Sequence, residues 1–210
     1  MVKFETSYTF SQVPYITNDA LDQYAASVIH DAAPEALNLP QPIDAESFVE
    51  YYLGLTIEYA RISGSRQILG MTAFDTGVIQ VADETTGKPQ PLPVVAGTVI
   101  IEPTLVQKRN LPRMRFTLMH EASHWLIHRP AFAQNNPFGS PGVYENQYVA
   151  AKEGRIDYSR SQKERNDIER IERQADFLAS AMLMPRPALR VAFRDFFRAA
   201  TKVLRALYKP

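Results

Sequence analysis

The chain of 210 residues contains no cysteine. No disulfide framework can form and no thiolate metal site is possible, so any transition-metal site must be built from His, Asp or Glu. Histidine is itself scarce, with four in the chain, which confines such a site to a few positions. An excess of one charge is also missing: Lys plus Arg and Asp plus Glu both number 23. That balance argues against the strongly basic surface of a nucleic-acid binder, and no direct nucleic-acid binding is expected. Long apolar runs are lacking too. The longest, around Val94 to Ile101, falls far short of a bilayer span. Met1 to Phe10 has a lone Lys3 and no apolar h-region, so no signal peptide is expected. These absences predict a soluble, cytoplasmic protein with no membrane association.

What is present is ordinary globular composition, enough for one domain with a proper core. Asn18 can cap a helix to about Asp31, because Leu21, Tyr24, Ala25, Val28 and Ile29 share one face. Asp44 can cap a second, short helix through Phe48, Val49 and Tyr52 that stops at Gly54. The next fifty residues read as strands. Leu55 to Ala60 alternates. Gln67 to Phe74 and Gly77 to Val81 flank Asp75-Thr76, which suits a hairpin turn. Asp83 to Pro93, with Gly87 and three prolines, reads as a loop, and Val94 to Ile101 as one further strand. From Leu111 the period becomes helical. The order of helices, small sheet, helices predicts a single α+β domain, residues 1–210, with a mostly antiparallel sheet. N-terminal helices and sheet would occupy 1–105 and the later helices 110–205.

His120-Glu121-Ala122-Ser123-His124 stands out. Two histidines four residues apart share a helix face, so both imidazoles can reach one ion. Pro112 suits the first turn of that helix, where its missing N–H costs nothing. Leu118, Met119, Ala122, Trp125 and Leu126 gather on one side of the helical wheel, with His120 and His124 opposite, so the histidine face is expected to border a cleft. Glu121, on the flank, is badly placed as a ligand and well placed as a general base for an attacking water. With so few histidines the pattern is expected by chance only roughly 0.005 times, so coincidental surface histidines are the weaker explanation.

A catalytic metal site wants three protein ligands. His128 lies eight residues, or about 12 Å along the axis, from His120, too far to share an ion with it, and His30 stands alone in the N-terminal helix. A carboxylate remains. Asn166 to Met184 reads as a long helix with a stripe of Ile168, Ile171, Ala175, Leu178 and Met182. Glu172 lies in the same broad sector, where an acid costs free energy unless something pairs with it. Glu172 is the favoured third ligand, with Glu169, and a simply solvated Glu172, as the alternatives. Asp176 follows at i+4, placed to orient a ligating imidazole.

Arg115-Phe116-Thr117-Leu118-Met119-His120-Glu121-Ala122-Ser123-His124, closing with Leu126-Ile127-His128, and Glu172-Arg173-Gln174-Ala175-Asp176 running on to Met184-Pro185 together resemble the ImmA/IrrE family of metallopeptidases. The resemblance is tight over about residues 110–128 and 168–186. It implies a zincin-like fold of the gluzincin type, with one zinc ion on His120, His124 and Glu172 and with Glu121 catalytic. It also implies a bacterial or phage regulatory protease that cleaves or inactivates a specific protein, often a helix-turn-helix repressor. Two departures stand out. Trp125 replaces the usual small or aliphatic residue and is expected to pack in the core. The sequence also stops at Pro210, where longer relatives continue, so a function carried there is expected to be reduced or missing.

Peptide hydrolysis needs a second electrophile for the developing oxyanion, and Tyr144, Tyr148, Tyr158 and His128 are the candidates. The stretch from Arg129 to about Asn146 is long for a loop and is expected either to border the substrate cleft or to be a mobile excursion. The rival reading is a regulator that binds zinc and inactivates a partner without proteolysis. Arg186, Arg190, Arg194 and Arg198 recur every four residues and read as a solvated helix face, with docking of an acidic partner as the alternative.

Overall fold

The computed structural model describes residues 2, 15–65, 67–129 and 162–207. Helix α1 spans Asn18–Ala32, one residue out of register with the expected cap: Thr17, in extended backbone, accepts a hydrogen bond from the Ala20 N–H, so Asn18 is the first helical residue. The predicted apolar face, Leu21, Tyr24, Ala25, Val28 and Ile29, is buried. Asp44 caps α2 (Ala45–Ser47), its carboxylate accepting from the Ser47 N–H at 3.1 Å. The helix then widens into one π-turn, Phe48–Tyr52, and ends before Gly54, whose φ of 67° only glycine adopts freely.

The strands depart from expectation in their pairing. β1 (Thr56–Tyr59), β2 (Gly70–Ala73) and β5 (Thr98–Ile101) form one sheet in the order β1-β5-β2, with β1 parallel and β2 antiparallel to β5. β3 (Gly77–Ala82) and β4 (Pro89–Val94) form a separate antiparallel ribbon. Asp75-Thr76 is therefore not a hairpin turn; it carries the chain from the sheet to the ribbon. The true hairpin lies within the stretch expected to be a loop. There Asp83 Oδ1 accepts from the Thr85 N–H, the Thr86 N–H and the Thr86 hydroxyl, and Gly87 takes a φ of 68°. Pro89, Pro91 and Pro93 are tolerated in β4 because they alternate, which puts all three missing N–H groups on the edge away from β3. The expected strand from Val94 to Ile101 is split by Gly97, at φ 90°, into the end of β4 and all of β5.

β5 is buried along its whole length because both faces are covered. Val99 and Ile101 join the main core with α1, α3 and α4. Ile100 faces a smaller core with Ile79, Val81 and Val94 of the ribbon. Helix α3 (Leu111–Ile127) packs on β2, on β5 and on α4 (Gln162–Leu183), which also packs on α1. Trp125 is buried as expected, stacked on Phe74 with ring centroids 6.2 Å apart. Helix α5 (Arg186–Leu207) starts beside α1, where Arg186 pairs with Asp22 at 3.1 Å, and leaves Phe193, Phe196 and Phe197 exposed. The four arginines of its basic stripe are solvent-exposed. Among the described residues no helix is long and apolar enough to cross a membrane. The fold is a mixed α+β domain with two small sheets.

Candidate metal centre

The site forms where α3 and α4 cross. The i, i+4 spacing stacks His120 and His124 on one face of α3, with their Nε2 atoms 3.0 Å apart. From α4, Glu172 reaches both: Oε2 is 3.3 Å from His120 Nε2, and Oε1 is 3.6 Å from His124 Nε2. Three donors bonded at about 2.0–2.1 Å to one tetrahedral ion lie about 3.3 Å from one another. The observed separations scatter around that value, so His120, His124 and Glu172 can hold a metal ion. Among the described residues, Glu172 Oε1 is buried and accepts no hydrogen bond, a costly state for a carboxylate oxygen that a cation relieves. Of the rival ligands, Glu169 is exposed and His30 is exposed at the end of α1.

The imidazoles are oriented from α4. His120 Nδ1 lies 2.8 Å from Asp176 Oδ1. An ionised carboxylate only accepts, so Nδ1 carries the proton and Nε2 turns its lone pair to the centre. On the other side, His124 Nδ1 lies 3.0 Å from His128 Nδ1, and His128 Nε2 lies 3.0 Å from Gln174 Oε1. Full burial pushes the His128 imidazole down to about 4, partly offset by its bond to Gln174, so it is neutral near pH 7.

Among the described residues, the histidine face of α3 packs against α4. α4 covers it, leaving His120 and His124 each 2% exposed and Glu121 4%. Glu172 and Asp176 lie nearer solvent, their side chains 16% and 57% exposed. A cavity of about 510 Å³ between α1 and α2, lined by residues such as Ala33, Ile43, Phe48 and Tyr51, contains none of the site residues.

Glu121 points to the sheet. Thr72 Oγ1 on β2 lies 2.9 Å from Glu121 Oε2 and 3.1 Å from its main-chain oxygen. Gly70 makes the room: a Cβ there would stand 2.7 Å from Glu121 Oε1 and 2.7 Å from Thr117 Cγ2.

No protein-family model, no curated protein and no solved structure matches the chain.

Three residues escaped the sequence reading. Gly70 and Thr72 lie about fifty residues before Glu121, and only the β2–α3 packing joins them; the one available hint was a glycine inside a strand pattern, which often marks close approach. Gln174 could have been noticed as a polar residue inside the apolar stripe of α4. His128 is neither a ligand nor an open electrophile, since it is fully buried with both ring nitrogens engaged. Tyr144, Tyr148 and Tyr158 and the stretch after Arg129 lie outside the described residues.

Proposed function

We propose that the chain is a zinc-dependent metallo-endopeptidase with a zincin-like, ImmA/IrrE-type site, acting on a specific protein partner such as a helix-turn-helix repressor. The observation that carries this reading is the set of donor separations, 3.0, 3.3 and 3.6 Å, with Glu121, the residue after His120, not one of the donors. Two imidazoles and one carboxylate suit zinc and leave a fourth position for a reactant, whereas structural zinc sites use four protein ligands. The ion supplies Lewis acidity. Glu121 accepts the proton of the attacking water and delivers it to the leaving amine. Thr72 holds one oxygen of that carboxylate, and Asp176 holds His120.

The burial of His120, His124 and Glu121 favours the second reading, a zinc-binding regulator that inactivates its partner without hydrolysis. Glu121→Gln separates the two. It should retain the metal and lose hydrolysis by a factor of about 100 or more. The zinc-loaded chain and the variant are each incubated with a bacterial proteome, and new protein N-termini are sequenced. Cleavages made by the wild type alone support the peptidase. Identical N-termini with both, at equal zinc content, leave only the non-proteolytic regulator.

A further inference from the structure

We infer that Gln174 and His128 form a one-way hydrogen-bond relay that fixes His124 with its Nε2 lone pair toward the metal. Both are positioning residues, and the inference rests on the metal centre proposed above.

The relay has two links of 3.0 Å each, Gln174 Oε1 to His128 Nε2 and His128 Nδ1 to His124 Nδ1. A neutral imidazole carries one proton on its two nitrogens, so the protonation of one link fixes the next. An amide oxygen only accepts. His128 therefore carries its proton on Nε2 and presents a bare Nδ1. That bare nitrogen accepts from His124, which must be protonated at Nδ1 and bare at Nε2. With the Gln174 amide turned over, every step reverses. His128 would donate from Nδ1, and His124 would hold a proton on Nε2, only 3.0 Å from His120 Nε2. A protonated ring nitrogen cannot bind a metal. The orientation of one buried amide thus sets which nitrogen of His124 carries the proton before a metal binds.

With Asp176 fixing His120 in the same sense, two bare Nε2 atoms converge 3.0 Å apart, an arrangement that a cation between them stabilises. The two devices differ in charge for a physical reason. Asp176 sits where solvent screens it, whereas His128 is fully buried. The centre already gathers Glu121, Glu172 and Asp176. A fourth carboxylate, at the His128 position, would cost desolvation and add repulsion. The relay gives direction without charge. It also ties the helices in register, because residues 172, 174 and 176 of α4 engage His120 of α3 and His128 just past its end.

The direct test is 15N NMR of the histidines in the intact zinc-loaded chain. His128 should be protonated at Nε2 and bare at Nδ1, and His124 protonated at Nδ1. A second arm measures zinc affinity by chelator competition in Gln174→Glu and Gln174→Lys. The Glu side chain still accepts from His128, whereas the Lys side chain can only donate. The Lys variant should bind zinc about 10–100-fold more weakly than the Glu variant. The NMR arm uses the unaltered chain and decides the matter if a variant fails to fold. Zinc bound with His128 protonated at Nδ1, or equal affinity in folded Glu and Lys variants, overturns the relay alone. A wild type that binds no zinc overturns the metal centre, and the relay with it.

Discussion

Glu121 owes its setting to two residues of β2. Gly70 leaves the space its carboxylate occupies, and the Thr72 hydroxyl shares one proton between a carboxylate oxygen and the main-chain oxygen of Glu121. A hydrogen bond to a charged group contributes about 1.5–3 kcal/mol. Thr72→Val removes it while keeping the shape of the side chain. Hydrolysis should fall about 10–100-fold with zinc content unchanged, and Thr72→Ser should restore most of it. The check is the rate at a mapped cleavage site with metal analysis of each variant. At this scale the sequence was legible wherever contacts repeat at helical spacing. His120 and His124 are one turn apart on α3, and Glu172 and Asp176 one turn apart on α4, so their shared faces could be read directly. Which side chain of α4 meets which of α3 depends on the register of two packed helices, and Gln174 was lost there. Thr72 depends on strand pairing, which local spacing does not encode.

Among the elements, the helices were read well and the strands poorly. Apolar stripes on α1 and α4 and the Asp44 cap are local signals. Strand pairing is not local: β2 found β5 across the whole ribbon, and the alternating prolines of β4 disguised a strand as a loop. Asp44 supports a prediction at this scale. Its hydrogen bonds to the Ser47 N–H and the Ser47 hydroxyl hold its carboxyl below the usual range. A depressed carboxylate contributes stability that is present above the unfolded-state pKa, near 4, and is lost as pH falls through the lower folded value. Asp44→Ala should therefore cost about 1 kcal/mol at neutral pH. The gap between wild type and variant should close as urea denaturation is carried to pH values below 4. A gap that stayed constant down to pH 2 would show that the charge plays no part.

For the molecule as a whole, the α3–α4 crossing joins the sheet to α1, so a bound ion clamps two helices that both pack into the main core. An ion present at about 1,000 times its Kd stabilises the folded state by about 4 kcal/mol. Removal with a chelator should lower the melting temperature of the wild type by several degrees and leave that of Glu172→Ala unmoved. The α+β order was legible at this scale because blocks of helix and strand period follow one another along the chain. The burial of the histidine face was not, because α4 returns to cover α3 from more than thirty residues away. Zinc content per chain is therefore to be measured in the purified wild type and in Glu172→Ala, side by side. The metal centre on His120, His124 and Glu172 requires about one zinc per wild-type chain and its loss or marked weakening in the variant. A variant that keeps its zinc, or a wild type that stays empty after zinc is added, would contradict it.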